Sequence, residues 1–193
     1  MEATPLTQGG LFLIQFIAGL VIFTLMLRFL MRATHVDWRH PVVHFVAKVT
    51  NPLCAPVNKV LTIRGRWDWS AIITAMLLQA LVVIALGWLT GRNFGVGLIA
   101  ISSITEVANQ LLDMAFWLII INVIISWISP GYNPNTAIFV QMTQPILAPF
   151  QKLVPPIGGF DLSPIIAILA IKLTQIVVVG GIAQYGQMLV TLG

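Results

Sequence analysis

Glu106, Gln110 and Asp113 stand four and three residues apart in an otherwise apolar stretch, a spacing that puts them on one face of a helix. Asn122 lies further along the same stretch, Lys172 and Gln79 lie in two other apolar stretches, and Arg28 near the end of a fourth. Ionisable groups in apolar surroundings are costly unless paired or hydrated, so each marks a site where something must compensate it. Two kinds of chemistry are open to them. Asp113 and Lys172 could line a hydrated path for an ion or proton. Alternatively they pair with each other, or with neighbouring polar groups, and hold helices together; this is the preferred reading, since the lysine stem can bridge a difference in depth. Arg28 reads as a residue that snorkels or bonds loop carbonyls.

Catalytic and metal chemistry find little in the chain. No nucleophile–base pairing, phosphate-binding glycine loop or metal-ligand spacing stands out, so an enzyme is not expected, nor a cofactor or a small-molecule substrate. His35, His40 and His44 have a spacing that would suit one helix face, but Pro41 interrupts the run, and packing at a membrane interface is the expectation rather than metal binding. Cys54 is the sole cysteine, which excludes an internal disulfide and a cysteine-based metal cluster.

The elements that hold these residues follow from composition. Of 193 residues 58% are hydrophobic and only 8% charged, with a mean hydropathy of +0.95. About 20 consecutive apolar residues cross a bilayer, and four segments meet that length, near residues 11–31, 69–90, 107–129 and 163–190. An all-α membrane protein is expected. A soluble bundle would need a charged outer stripe on each helix, and these helices have none. The first segment is not read as a cleaved signal peptide, because Glu2 precedes it and its apolar run is too long. Residues 95–106 read as a short helix or interfacial extension ahead of the third span.

Basic residues set the expected orientation. Arg32, Arg39, Lys48, Lys59, Arg64 and Arg66 all fall between spans one and two, Arg92 in the middle link, and Lys152 in the last. The first and third links are thus expected on the cytoplasmic side and both termini on the other, in a bacterial inner membrane. The net charge of +4 suits contact with anionic lipid headgroups. The basic residues lie beside apolar segments, so nucleic acid is not an expected partner; the bilayer, other membrane proteins or a second copy are.

The chain also repeats itself. Residues 41–70 align without a gap on residues 134–163, an offset of 93. Pro41, Thr50, Pro52, Ala55, Pro56, Lys59, Gly65, Asp68 and Ser70 recur as Pro134, Thr143, Pro145, Ala148, Pro149, Lys152, Gly158, Asp161 and Ser163. The matches are mostly residues that shape backbone or make hydrogen bonds, while apolar neighbours have drifted. Residues 1–93 and 94–193 are therefore read as two copies of one unit. With two spans each, the copies enter the membrane in the same direction, a parallel repeat.

Between its spans each unit carries an amphipathic segment expected at the membrane interface, broken or kinked by its prolines. In the first it holds Phe45, Thr50, Pro52 and Pro56; in the second Phe139, Thr143, Pro145 and Pro149. These elbows are the candidate docking surfaces. The motif that follows, Gly65, Asp68 and Ser70 in one copy and Gly158, Gly159, Asp161 and Ser163 in the other, reads as the start of a spanning helix, with Asp or Ser as the cap and Pro164 in the first turn.

With Arg28 in the first span and Ser126 and Trp127 in the third, these doubled motifs resemble the YggT (YlmG-like) family of small two-unit bacterial and plastid membrane proteins. The resemblance covers nearly the whole chain, and the second copy is the better match. Family members often carry a basic pair soon after the second proline; here Asn58-Lys59 and Gln151-Lys152 stand there. The resemblance implies links to osmotic or potassium tolerance, cell division and nucleoid organisation, or cytochrome assembly, and carries over no catalytic residue. The expected function is a scaffold or assembly factor that docks partners at its elbows, with a small oligomeric channel or transporter component affecting cation balance as the alternative.

Overall fold

The computed structural model describes residues 5–37, 39–60, 67–91, 94–128, 136–154 and 161–192, with side chains from residue 8 to residue 188 within those ranges. The protein is all-α. In chain order the elements are α1 (Pro5–Ala33), α2 (Pro41–Val60), α3 (Trp69–Thr90), α4 (Val96–Ile128), α5 (Ala137–Leu153), α6 (Ser163–Leu173) and α7 (Gly180–Leu192). A π-helical segment, Thr174–Val179, joins α6 to α7 into one rod. Four helices are long and apolar enough to cross a membrane: α1, α3, α4 and the α6–α7 rod. Each repeat is thus a span, a shorter amphipathic helix and a second span.

Local chemistry explains where the helices begin and end. The first span closes with His35 in the left-handed region (φ 56°), with Val36 N–H donating to Met31 O and His35 N–H to Arg32 O. That pairing satisfies carbonyls that the end of a helix would leave open. Gly91 closes α3 in the same region, at φ 67°. Within the helices, hydroxyls turn back onto carbonyls four residues earlier, as Thr24 does to Leu20, Ser103 to Ile99 and Thr174 to Ala170, so they need no partner from an apolar surrounding.

Two features differ from expectation. Residues 96–106 are neither a separate helix nor an extension set apart; they are the first turns of α4, which runs 33 residues, about 50 Å at 1.5 Å per residue. That exceeds the roughly 30 Å of a hydrocarbon core, so α4 tilts or projects beyond it. The prolines do not end α2 or α5 either, for both helices run through them. Pro52 and Pro56 sit one turn apart on the exposed face of α2, and Pro145 and Pro149 do the same on α5. The carbonyls freed by their missing N–H groups belong to Lys48, Pro52, Gln141 and Pro145, all exposed residues. Water or headgroups can satisfy carbonyls on such a face, and the helix survives.

α4 is the common support. One buried cluster joins Leu25, Met26 and Phe29 of α1, Val43 and Val46 of α2, Ala71 and Ala75 of α3, Met114 and Leu118 of α4, and Met142 of α5. A second joins Ala115 and Ile119 of α4 to Leu147 of α5 and Ala167 and Ile171 of α6. The far end of the last rod also lies on α4. A Cβ built on Gly186 would come within 2.9 Å of Ile101 Cδ1, so glycine permits that approach.

Candidate functional site

Polar side chains converge in two places, one where the first repeat's helices meet and one halfway along α4. The first centres on Asp68, whose side chain is 2% exposed. Arg28 Nε donates to Asp68 Oδ2 at 2.8 Å, and Arg32 Nη1 donates to the same oxygen at 2.9 Å. Arg28 and Arg32 are one turn apart on α1, so both reach the same point. Arg28 Nη1 also donates to Thr50 Oγ1 (3.0 Å) and Asn51 Oδ1 (2.7 Å) on α2. Thr50 in turn donates to Val46 O, and Ser70 donates to the other oxygen of Asp68. One guanidinium thereby ties α1, α2 and the start of α3 together. Burial alone would raise the Asp68 pKa, but hydrogen bonds from Ser70, Arg28 and Arg32 and the charge of Arg28 outweigh it, and it falls from 3.8 to about 2.

This arrangement corrects two readings of the sequence. Asp68 makes no side-chain capping bond to α3; it is the acceptor of an ion-pair cluster. Arg28, only 13% exposed, is neither snorkelling nor bonded to loop carbonyls. The signal in the sequence was the pair Arg28 and Arg32 on one face of the first span, 40 and 36 residues from the Asp they share.

The second repeat keeps half of the cluster. At the offset of 93, Thr143, Gln144, Asp161 and Ser163 stand for Thr50, Asn51, Asp68 and Ser70, but Ile121 and Ile125 stand for the two arginines. Asp161 is exposed, and accepts from the Ser163 backbone N–H at 2.8 Å and from Gln151 Nε2 at 3.0 Å. Burial acts to raise its pKa, and those bonds from Ser163 and Gln151 more than offset it, leaving it lowered. Here the Asp does serve the start of a helix. Gln151 also accepts from Gln144 at 3.1 Å. Gly65, Gly158 and Gly159 of the same motif lie outside the described residues.

The second cluster brings Asp113 and Lys172 together, as the helix-holding reading has it. Lys172 Nζ lies 3.0 Å from Asp113 Oδ1, donates to Gln175 Oε1 at 2.8 Å and sits 4.5 Å from the centre of the Phe116 ring. Gln175 Nε2 donates to Asp113 Oδ1 (2.9 Å) and to the Asn109 carbonyl (3.3 Å). Gln175 belongs to the π-helical segment, which begins two residues after Lys172. The pair is not enclosed: the side chains are 42% and 51% exposed. Glu106 is exposed on the same side of α4, and Gln110 is half-buried. Gln79, the repeat counterpart of Lys172, is half-buried in α3, and Asn122 is half-buried further along α4. Among the described residues, no group of three His, Cys, Asp or Glu is placed to hold a metal ion.

The docking elbows divide in two. Phe45, Pro52, Pro56, Pro145 and Pro149 are exposed. Thr50 and Thr143 are fully buried and Phe139 packs against the core, so these three serve the attachment of α2 and α5 to the spans. Val42, Val49 and Leu53 on α2, and Val140 and Leu153 on α5, are further exposed apolar residues of these two helices.

A sequence model of the CCB3/YggT family matches residues 7–89 and again residues 101–182. The chain belongs to the CCB3/YggT family. It is 34% identical over 181 residues to an uncharacterized protein of Pseudomonas aeruginosa, covering 92% of each chain. It is 29% identical to the uncharacterized YggT of Escherichia coli (strain K12), covering 92% of this chain and 93% of that one. A third relative, from Vibrio alginolyticus, is 30% identical over 83% of this chain and 88% of its own. No solved structure matches it.

Proposed function

We propose that the protein is a non-catalytic scaffold or assembly factor of the bacterial inner membrane, docking partner proteins or further copies of itself at the cytoplasmic face through α2 and α5. The observation that carries this is that α2 is anchored along one face and leaves an apolar stripe exposed beside it. Val43, Val46, Thr50 and Cys54 bury one face against the spans, and Arg28 fastens that face with charged hydrogen bonds. Val42, Phe45, Val49 and Leu53 form an exposed apolar stripe at helical spacing beside that face, about a quarter turn around the helix. A helix held this firmly, with an apolar stripe turned outward, is preorganised for another apolar surface. The basic residues of the first link support a cytoplasmic position.

A photo-reactive residue in place of Phe45 or Val140, activated in intact membranes, tests the proposal. Discrete protein adducts at both positions are expected; adducts with lipid alone would count against it. A second reading, a small oligomeric channel or transporter component affecting cation balance and osmotic tolerance, draws on the half-exposed Asp113–Lys172 pair. Liposomes containing the protein that pass no cation above the protein-free background would exclude that version.

A further inference from the structure

The Asp113–Lys172 pair is in the wrong place for an isolated chain. Lys172 lies nine residues into α6, about 13 Å from the start of that span, and Asp113 near the middle of α4. In a hydrocarbon core of about 30 Å both groups sit far from either headgroup layer. Intramembrane charges face a bundle interior, a wet cavity or another polar helix, because hydrocarbon solvates neither partner. Yet the residues that bury α4 (Val107, Met114, Ala115, Leu118, Ile119) point the other way. Around the pair the seam between α4 and α6 is open and apolar, with Trp117, Leu173 and Ile176 between 52% and 71% exposed.

We infer that a second copy of this chain covers the α4–α6 seam, so that Asp113 and Lys172 of one copy meet Lys172 and Asp113 of the other. Self-complementarity selects this occupant. Asp113 and Lys172 touch, so they lie at one depth in the membrane. A two-fold axis along the membrane normal preserves depth, and in such an interface residue i meets j while j meets i. A seam with one positive and one negative group side by side therefore matches its own copy, placing four charges in a neutral, hydrogen-bonded ring. Any other partner would have to bring polar groups of its own to the same depth, whereas a second copy carries them there by symmetry. Gln175, which already bonds both groups, braces them from within each copy. The π-helical segment that holds Gln175 departs from the regular α ladder at this point, and such departures recur at functional positions. This surface is distinct from α2 and α5, so either proposal can fail without the other.

The test uses the full chain with Cys54→Ala, a buried position, and single cysteines introduced by Trp117→Cys or Ile176→Cys on the seam and Phe16→Cys or Leu81→Cys on exposed faces of α1 and α3. In liposomes at low protein-to-lipid ratio, a short thiol cross-linker is expected to give several-fold more dimer from the seam positions. Equal yields, or monomer at all four, would overturn the inference. Co-expressing Asp113→Asn and Lys172→Met chains under different tags tests the exchange, because each supplies the charge the other lacks. Mixed dimers should exceed both homodimers several-fold; Asp113→Asn pairing with itself as readily would overturn the exchanged pair. If either variant fails to insert, the cross-linking of the otherwise wild-type chain still decides.

Discussion

Replacing Arg28 by methionine keeps an unbranched stem on α1 and removes a guanidinium that is 13% exposed. The change deletes hydrogen bonds of 2.8 Å to Asp68, 3.0 Å to Thr50 and 2.7 Å to Asn51. Hydrogen bonds to charged groups contribute about 1.5–3 kcal/mol each, but these losses do not simply add. Asn51 is exposed and recovers water, while Asp68 keeps Arg32 and Ser70. Breaking a buried ion pair costs about 3–5 kcal/mol, and with Arg32 still in place the expected loss is about 3 kcal/mol. Unfolding by sodium dodecyl sulfate in mixed micelles, followed by far-ultraviolet circular dichroism, measures it. In a cycle with Asp68→Asn the two changes should couple by about 1.5–2 kcal/mol. Ile121→Met, at the equivalent point of the second repeat, should cost less than about 0.5 kcal/mol, the usual range for a position outside such networks. An Arg28→Met chain within about 0.5 kcal/mol of wild type, or an additive cycle, would refute the claim that this arginine clamps α2 to the spans.

The depressed pKa of Asp68 has a pH signature. A carboxylate held at about 2 instead of 3.8 contributes stability that is fully present above about pH 4 and is lost as pH falls toward 2. At 1.36 kcal/mol per pKa unit this is about 2 kcal/mol, and the gap between wild type and Asp68→Asn should close over that interval; a constant gap would sink the assignment. The two buried threonines should respond unequally. Thr50→Val removes an acceptor from Arg28 and should cost about 1–2 kcal/mol. Thr143→Val removes hydroxyl bonds only to carbonyls of its own helix, and should cost under about 0.5 kcal/mol in the same titration. Equal effects would contradict the divergence of the repeats.

Much of the architecture was legible because it depends on local composition. A span needs only length and apolarity, so all four are legible, though the third begins at residue 96 rather than near 107, and residues 96–106 are part of it rather than a separate short helix or interfacial extension. In the structure Ser103 and Thr105 bond carbonyls of their own helix, which removes most of the cost of burying a hydroxyl. The prolines misled for a related reason. A proline rule assumes the freed carbonyl is stranded, whereas here both freed carbonyls of each helix fall on an exposed face.

The candidate sites divide along the same line. Sequence alone determined that the chain is an all-α, four-span membrane protein of two related units, because hydropathy, proline spacing and an ungapped repeat are properties of neighbouring residues. It also determined that Asp113 and Lys172 needed compensation, since an intramembrane charge is costly wherever it stands. Only the tertiary structure decided who compensates whom. It sent Arg28 and Arg32 to Asp68, gave the corresponding Asp161 a backbone N–H instead, buried Thr50, Thr143 and Phe139, and left the Asp113–Lys172 pair open on an outer seam. The ion pairs of Arg28, Arg32 and Lys172, and the Gln175 bond to Asp113, join partners 36 to 62 residues apart; a charge pairs with whatever helix packing brings within about 3 Å, which no local pattern encodes.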